Sequence, residues 1–260
     1  MKRLLEVQDI SFAYHDGPMI FEHVSFSLEE GQILSIIGPN GAGKSTLLGC
    51  LVGQYTPRSG EILIGGAPLR SLPRRKVAQM VGFVPQDQKL TFSYDVRTFV
   101  VMGRTPYIST FRVPSKTDYQ LADQAIAELG ITHLNYRPCT EISGGERQKA
   151  AIARVVVQES KVVVLDEPTS ALDFGNQMRT LNMIRKLARQ GYAIIMTTHN
   201  PDHAIMVGGL VAALDQHGTL RVGPVEDIIR SDLLTNMYQV DVRVPYVDEV
   251  HRSACLTSLW

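Results

Sequence analysis

The chain has 260 residues, 44% of them hydrophobic and 20% charged, enough apolar material for one large domain or a domain with an insertion, and no compositional mark of disorder or of collagen. Lys+Arg and Asp+Glu both number 26, so the formal net charge is +0, and the basic excess that usually accompanies nucleic-acid binding is missing. No apolar run approaches the roughly 20 residues of a membrane-spanning helix. The first residues, Met1 to Glu6, lack the sustained apolar stretch of a signal peptide, so the chain is expected to stay in the cytosol, with Cys50, Cys139 and Cys255 as reduced thiols.

In chain order, Leu4 to Tyr14 and Glu22 to Leu28 read as strands joined by the turn His15-Asp16-Gly17-Pro18. Ile33 to Ile37 is a short apolar run ending in glycines, as in a buried strand, and Thr46 to Val52 continues as a helix. Further strands are predicted at Glu61 to Ile64, Val81 to Val84, Val162 to Leu165 and Ala193 to Thr197. Between Gln86 and Ser143 the pattern turns helical. Ser115-Lys116-Thr117-Asp118 resembles a capping box, Leu121, Ala125 and Leu129 keep helical spacing, and Gly130 is a stop. A second long helix is predicted from about Phe174 to Gln190, stopped by Gly191. Short helices follow Pro224. The tail, Val244 to Trp260, carries His251 and Cys255 but too few ligands for a metal site; it reads as a packing segment, a dimer contact or a frayed end.

Two segments carry chemistry on their own. Gly38-Pro39-Asn40-Gly41-Ala42-Gly43-Lys44-Ser45-Thr46 satisfies G-x-x-x-x-G-K-[ST] between a predicted strand and a predicted helix. Glycines let the backbone close on phosphate oxygens, the helix N-terminus presents free N–H groups, Lys44 offers a positive charge to the β- and γ-phosphates, and Ser45 offers a hydroxyl to Mg²⁺. Val162-Val163-Val164-Leu165-Asp166-Glu167 delivers two acids at the carboxyl end of an apolar strand, where α/β sheets bind ligands. Asp166 is expected to hold Mg²⁺ through water, and Glu167 to act as general base on the attacking water.

Ile142-Ser143-Gly144-Gly145-Glu146-Arg147-Gln148 resembles the signature sequence of ABC ATPases, usually LSGGQ. The other elements of that family follow in order from about Leu4 to Tyr238. Tyr14 resembles the adenine-stacking aromatic residue, Gln86 the Q-loop glutamine that meets Mg²⁺ or water, Ser170-Ala171-Leu172-Asp173 the D-loop, and His199 the switch histidine that contacts the γ-phosphate. Ile142 and Glu146 depart from the usual Leu and Gln. Glu146 is expected to point away from the γ-phosphate, toward Arg147 or a partner surface, which leaves the Ser143 hydroxyl and the Gly144 and Gly145 amides to face phosphate. The bland alternatives are packing for Tyr14, a turn cap for Gln86, and a helix N-cap for Asp173.

The resemblance implies an α/β fold: a P-loop NTPase (RecA-like) core with an antiparallel β subdomain and an inserted helical signature subdomain. The expected division is one domain over 1–238, with core 1–87 and 159–238 and a helical insertion of about 88–158, followed by a tail over 239–260. It also implies an ATPase using ATP and Mg²⁺ that works as a head-to-tail homodimer, with the Lys44 loop of one copy and the Ser143 loop of the other enclosing ATP. Two transmembrane permease subunits and a periplasmic or extracellular substrate-binding protein complete the expected assembly, at the cytoplasmic face of the membrane and without nucleic acid. Met102-Gly103-Arg104-Thr105-Pro106-Tyr107 and Tyr238-Gln239-Val240 resemble importers of iron–siderophore, haem and cobalamin, and Met102 to Asp118 also resembles importers of molybdate or tungstate. Gln86 to Phe111, entered through Pro85-Gln86-Asp87, is the expected coupling surface. The rival readings are an exporter ATPase and a soluble, non-transport ABC ATPase; the second is disfavoured by the single phosphate loop and by a Gln86–Ser143 interval too short for long coiled coils.

Overall fold

Each strand of the main sheet ends in a turn, and the order of the strands decides which turns meet. The computed structural model describes residues 3–86, 93–109 and 111–257. Asp87 and Thr110, both within the expected coupling surface, lie outside the described residues. Strands β1 (Arg3–Ala13) and β2 (Met19–Glu29) pair antiparallel, and β3 (Ile33–Ile37) then leads into helix α1 (Lys44–Leu51). Next come β4 (Ser59–Ile64), β5 (Ala67–Pro68), α2 (Arg74–Met80) and β6 (Val81–Val84). The helical layer comprises α3 (Val96–Val101), a 3₁₀ turn at Met102–Tyr107, α4 (Lys116–Glu128) and α5 (Gly144–Val156). The chain returns to the sheet through β7 (Val162–Leu165), α6 (Phe174–Arg189), β8 (Ala193–Thr198), α7 (Pro201–Val207), β9 (Leu210–Leu214) and β10 (Leu220–Pro224). It closes with α8 (Val225–Ile228), α9 (Ser231–Tyr238), β11 (Val242–Arg243), β12 (Tyr246–Val247), β13 (Arg252–Ser253) and β14 (Leu256–Thr257).

Among the described residues the main sheet runs β10-β9-β3-β8-β7-β6, with β9, β3, β8, β7 and β6 parallel and β10 antiparallel at the edge. A second, antiparallel sheet has the order β2-β1-β4-β5. The period of two along each strand sorts the core. Val162 and Val164 of β7 and Ala193 and Ile195 of β8 face the antiparallel sheet, in one cluster with Val7, Ile10 and Leu28. Val163, Leu165, Ile194 and Met196 face the helical layer, in one cluster with Val100, Ile126 and Ile152. Both faces of these strands are covered, which is why they read as unbroken apolar runs.

The predicted strands lie within one or two residues of the observed ends, except that β2 starts at Met19. The interval between Thr198 and Pro224, left unassigned from sequence, holds α7, β9 and most of β10. The Ser115 capping box is present, with the Ser115 hydroxyl accepting from the Asp118 amide and the Asp118 carboxylate accepting from the Ser115 amide at 2.8 Å. The described part of the tail forms two small ribbons, β11–β14 and β12–β13, and is anchored at Asp202, whose Oδ1 accepts from Arg252 Nη1 and from the Cys255 amide, each at 3.2 Å.

The Met102–Tyr107 segment, expected as a partner-contacting loop, is largely stitched into the helical layer. Arg104 is buried; its Nη1 donates to Val157 O at 2.9 Å and to Glu159 Oε2 at 2.5 Å, and its Nε donates to Asp118 Oδ1 at 3.2 Å. Tyr107 donates to Gln158 O, and Arg75 and Gln79 both donate to Pro106 O. Among the described residues of the coupling surface, Gln86, Ser93, Tyr94, Thr105, Tyr107, Ser109 and Phe111 are exposed. The turn packs so closely on α5 that a Cβ on Gly103 would lie 2.0 Å from the Arg154 carbonyl oxygen. Gly103→Ala is therefore expected to cost about 1–3 kcal/mol of unfolding free energy in urea titrations; an unchanged midpoint would show that the turn yields without cost.

Candidate functional site

Four strand ends side by side build the site. In the spatial order β3, β8, β7, β6 the following turns carry, respectively, the Gly38–Lys44 loop, Thr198-His199, Asp166-Glu167 and Pro85-Gln86. Register aligns them: Ile37 pairs with Thr198, and Leu165 pairs with both Met196 and Val84. The carboxyl edge of a parallel sheet is where such turns can converge on a ligand.

The loop after β3 needs glycine where it crosses other backbone. Gly43 has φ of 100°, and a Cβ there would lie 2.5 Å from Ile20 Cγ2; one on Gly38 would lie 2.2 Å from the Leu214 carbonyl oxygen. The loop wraps around Lys44, whose Nζ donates to Gly38 O at 2.8 Å and Pro39 O at 3.0 Å. Burial pulls the Lys44 ammonium below the ordinary lysine range, while the nearby Glu167 and Asp166 carboxylates oppose that. The amino end of α1 opens on the same loop, so an anion there would meet free amides and a cation together.

Asp166 is buried, and its Oδ1 accepts from Thr197 Oγ1 at 2.6 Å and from Ser45 Oγ at 3.2 Å. Thr197 Oγ1 in turn accepts the Glu167 amide at 2.8 Å. Glu167 adopts φ of 45°, a left-handed backbone unusual for a residue other than glycine and frequent at functional sites. Its Oε2 accepts from Gln86 Nε2 at 3.0 Å and lies 3.4 Å from His199 Nδ1. The donor set of Ser45 hydroxyl, Asp166 carboxylate and Gln86 amide oxygen suits Mg²⁺, which takes hard oxygen ligands from one or two carboxylates together with phosphates. Among the described residues no three His, Cys, Asp or Glu side chains cluster as a metal-binding group. An ion here would complete its shell with water or phosphate oxygens.

These side chains line a cleft of about 600 Å³ that includes Tyr14, Asn40, Gly41, Gly43, Lys44, Ser45, Thr46, Gln86, Glu167 and His199. Tyr14 is half-exposed, its hydroxyl bonded to Thr46 Oγ1 at 2.9 Å and its ring set edge-on to Phe12 and Tyr55, so a flat aromatic surface stands at one end. Pro39 and Ala42 belong to the same loop; Ala42 is turned into the core.

Ser143, Gly144, Gly145, Glu146 and Asp173 are not among the residues that line the cleft. Ser143 caps α5, and the structure corrects the expected direction of Glu146. Its Oε2 turns back to accept from the Ser143 amide at 2.9 Å and the Ser143 hydroxyl at 2.8 Å, while Oε1 lies 3.7 Å from His133 Nε2. Those Ser143 bonds hold the Glu146 carboxyl below the usual carboxylate range. Arg147 instead donates to the carbonyls of Cys139 and Ile142. Asp173 caps α6, with Oδ1 accepting the Asn176 amide at 2.9 Å and Oδ2 accepting Asn176 Nδ2 at 2.6 Å. Asn176 also fills the space beside Gly145, where a Cβ would lie 2.7 Å from its Cγ.

Three residues of the site were not singled out from sequence. Thr197 fastens both acids, and the adjacent Thr-Thr-His was noted only for its histidine. His203 is buried beneath His199 against Thr169 Oγ1 and Thr198 Oγ1, and burial pushes its imidazole down toward the neutral form. Tyr55 backs Tyr14, and no sequence pattern marked it.

The profile of a family described as ABC transporter matches residues 21–170. The chain is 37% identical over 241 residues to a molybdate import ATP-binding protein of Haemophilus influenzae, covering 92% of this chain and 90% of that one. It is 37% identical over 225 residues to a hemin import ATP-binding protein of Nocardia farcinica, covering 86% of this chain and 77% of that one. Its fold matches, at TM-score 0.88 and 34% identity over 99% of this chain and 98% of the other, a solved chain described as an inward-facing conformation of a metal-chelate type ABC transporter.

The geometry yields an expectation for nucleotide affinity. Removing the Lys44 ammonium takes away a charge-assisted contact of about 1.5–3 kcal/mol, so Lys44→Ala is expected to weaken ATP binding by roughly tenfold or more in calorimetry. Unchanged affinity would remove Lys44 from the phosphate site.

Proposed function

The chain belongs to the ABC transporter family, and from that premise we propose how its site drives transport. It is an ATPase, the ATP-binding subunit of an ABC importer of the type that handles metal chelates, haem, cobalamin or molybdate. Two copies close head to tail on ATP, and hydrolysis reopens them. The observation that carries the reading is the division of the chemistry. Lys44, Ser45, Asp166, Glu167, Gln86 and His199 gather at one sheet edge, whereas the Ser143 turn stands apart on the helical layer.

One copy alone presents donors to one side of a bound triphosphate and leaves the γ-phosphate open to water. The Ser143–Gly145 turn of a second copy supplies the missing donors and excludes water, which strengthens each electrostatic contact inside. Lys44 and the amides at the start of α1 hold the β- and γ-phosphates. Ser45 and Asp166 would hold Mg²⁺, which when bound would offset charge on the phosphate oxygens. Glu167 accepts a proton from the attacking water. Gln86 and His199, both beside its Oε2, fix the carboxylate in place, and His199 can follow the γ-phosphate. ATP shifts the population toward the closed pair through the contacts that exist only there.

No helix among the described residues is long and apolar enough to cross a membrane. In this reading the mechanical output of closure passes to two permease subunits at the cytoplasmic face of the membrane, which receive cargo from a periplasmic or extracellular binding protein. The cargo is a metal chelate or an oxyanion: iron–siderophore, haem, cobalamin, molybdate or tungstate. The support lies in the similarity to named molybdate and hemin import proteins over most of both chains.

Glu167→Gln is expected to bind ATP, to lose about 10²–10⁴-fold in turnover and to accumulate as an ATP-dependent dimer on size exclusion. Near-normal turnover would end the general-base assignment. The transport reading is tested by tagging the chain in its host, solubilising membranes gently and identifying what co-purifies. A polytopic membrane protein is expected, with ATPase activity that rises when binding protein and cargo are added; recovery of soluble partners, ribosomes or DNA alone would refute it.

A further inference from the structure

We infer that Glu146 is a brake on closure: its carboxylate occupies the Ser143 hydroxyl in the open chain and raises the ATP concentration at which two copies close. This inference rests on the head-to-tail reading proposed above. A serine hydroxyl has one proton to donate. Here that proton points to Glu146 Oε2 at 2.8 Å, and the same oxygen takes the Ser143 amide at 2.9 Å. The carboxylate thus holds the Ser143 hydroxyl, one of the donors that a phosphate arriving across the interface would use, and it already satisfies the positive end of α5.

For the hydroxyl to turn to a phosphate oxygen, Glu146 must give up that hydrogen bond. If it keeps its bond to the amide and stays within 2.8 Å of the hydroxyl oxygen, the phosphate oxygen, itself about 2.7 Å from that hydroxyl, lies no more than about 5.5 Å from a like charge. If it swings away, the Ser143 amide loses its cap. Both routes cost free energy on closure, and an uncharged side chain that keeps its bond to the amide avoids the first, because no like charge then faces the phosphate. The carboxylate has two neighbours besides Ser143: Arg147 is turned onto backbone carbonyls, and His133 stands 3.7 Å from Oε1 with its ring 67% exposed, too solvated to cancel the charge. Glu146 is itself 32% exposed, so screening limits the effect to a few-fold rather than orders of magnitude.

The charge and the cap can be separated, because Glu146→Gln keeps an oxygen that accepts from both Ser143 donors, and Glu146→Ala keeps neither. The test is the ATP midpoint for dimer formation, read by sedimentation of the full chain in the Glu167→Gln background at about 50 mM and about 500 mM salt. Adding Glu146→Gln is expected to lower the midpoint about threefold to tenfold at low salt, with the ratio shrinking at high salt. A Glu146→Gln midpoint equal to or above the parent's overturns the brake, as does a ratio indifferent to salt. A raised midpoint for Glu146→Ala with no change for Glu146→Gln assigns the residue to capping alone and overturns it too. A Glu167→Gln parent that stays monomeric at saturating ATP, with ATP bound by calorimetry, refutes the head-to-tail reading and the brake with it.

Discussion

Parallel pairing of β3, β8, β7 and β6 in that spatial order is the constraint on which the rest of the molecule depends. Elements far apart in sequence become neighbours only because β8 inserts between β3 and β7. Thr197, the penultimate residue of β8, then bridges the gap: its hydroxyl donates to Asp166 and accepts the Glu167 amide. With Ser45 also on Asp166, three strand ends are joined by two hydroxyls on one carboxylate. The left-handed backbone at Glu167 is tolerable because that amide is held, and it turns the second acid into the cleft beside Gln86 and His199.

The helical layer is tied to other elements at both ends of α5. Arg104 is clamped to the end of α5, to Glu159 and to Asp118 in the first turn of α4, and the ring of Tyr107 lies 4.1 Å from its guanidinium. Such a buried, multiply bonded arginine costs more to break than to keep, so it fixes geometry rather than adding net stability. At the other end of α5, Gly145 rests on Asn176, which is bonded to Asp173. The signature turn and the D-loop aspartate therefore share one support, and a displacement of either is felt by the other.

Charge is distributed as sparingly as the net value of +0 suggests. The site has one buried lysine facing two acids, a balance that an incoming triphosphate with its Mg²⁺ would reset. The acid in the signature turn belongs to the same electrostatics, because it competes for donors that phosphate needs. Local charge at a few positions, not the overall balance, controls how such a chain meets its nucleotide.

The residues themselves determined the chemistry. The glycine-rich loop with Lys44 and Ser45, the acids closing an apolar strand, and the Ser143–Gln148 turn are patterns of fixed spacing, and local spacing survives folding unchanged. Strands buried on both faces were legible for the same reason: short unbroken apolar runs ended by turn residues permit little else. Tertiary structure alone decided what those patterns touch. Thr197 and His203 are ordinary polar residues in sequence and become fasteners only because β8 carries Thr197 to Asp166 and α7 carries His203 to Thr169 and Thr198. The interval of α7, β9 and β10 carried no periodicity strong enough to assign, since short edge elements take their form from their neighbours. Arg104 within Met102–Tyr107 is a buried clamp that local pattern could not show, because it finds its acceptors 14 and 53 residues away. Glu146 was expected to point toward Arg147 or a partner surface, but its carboxylate accepts from the Ser143 amide and hydroxyl, three residues back along one helical turn.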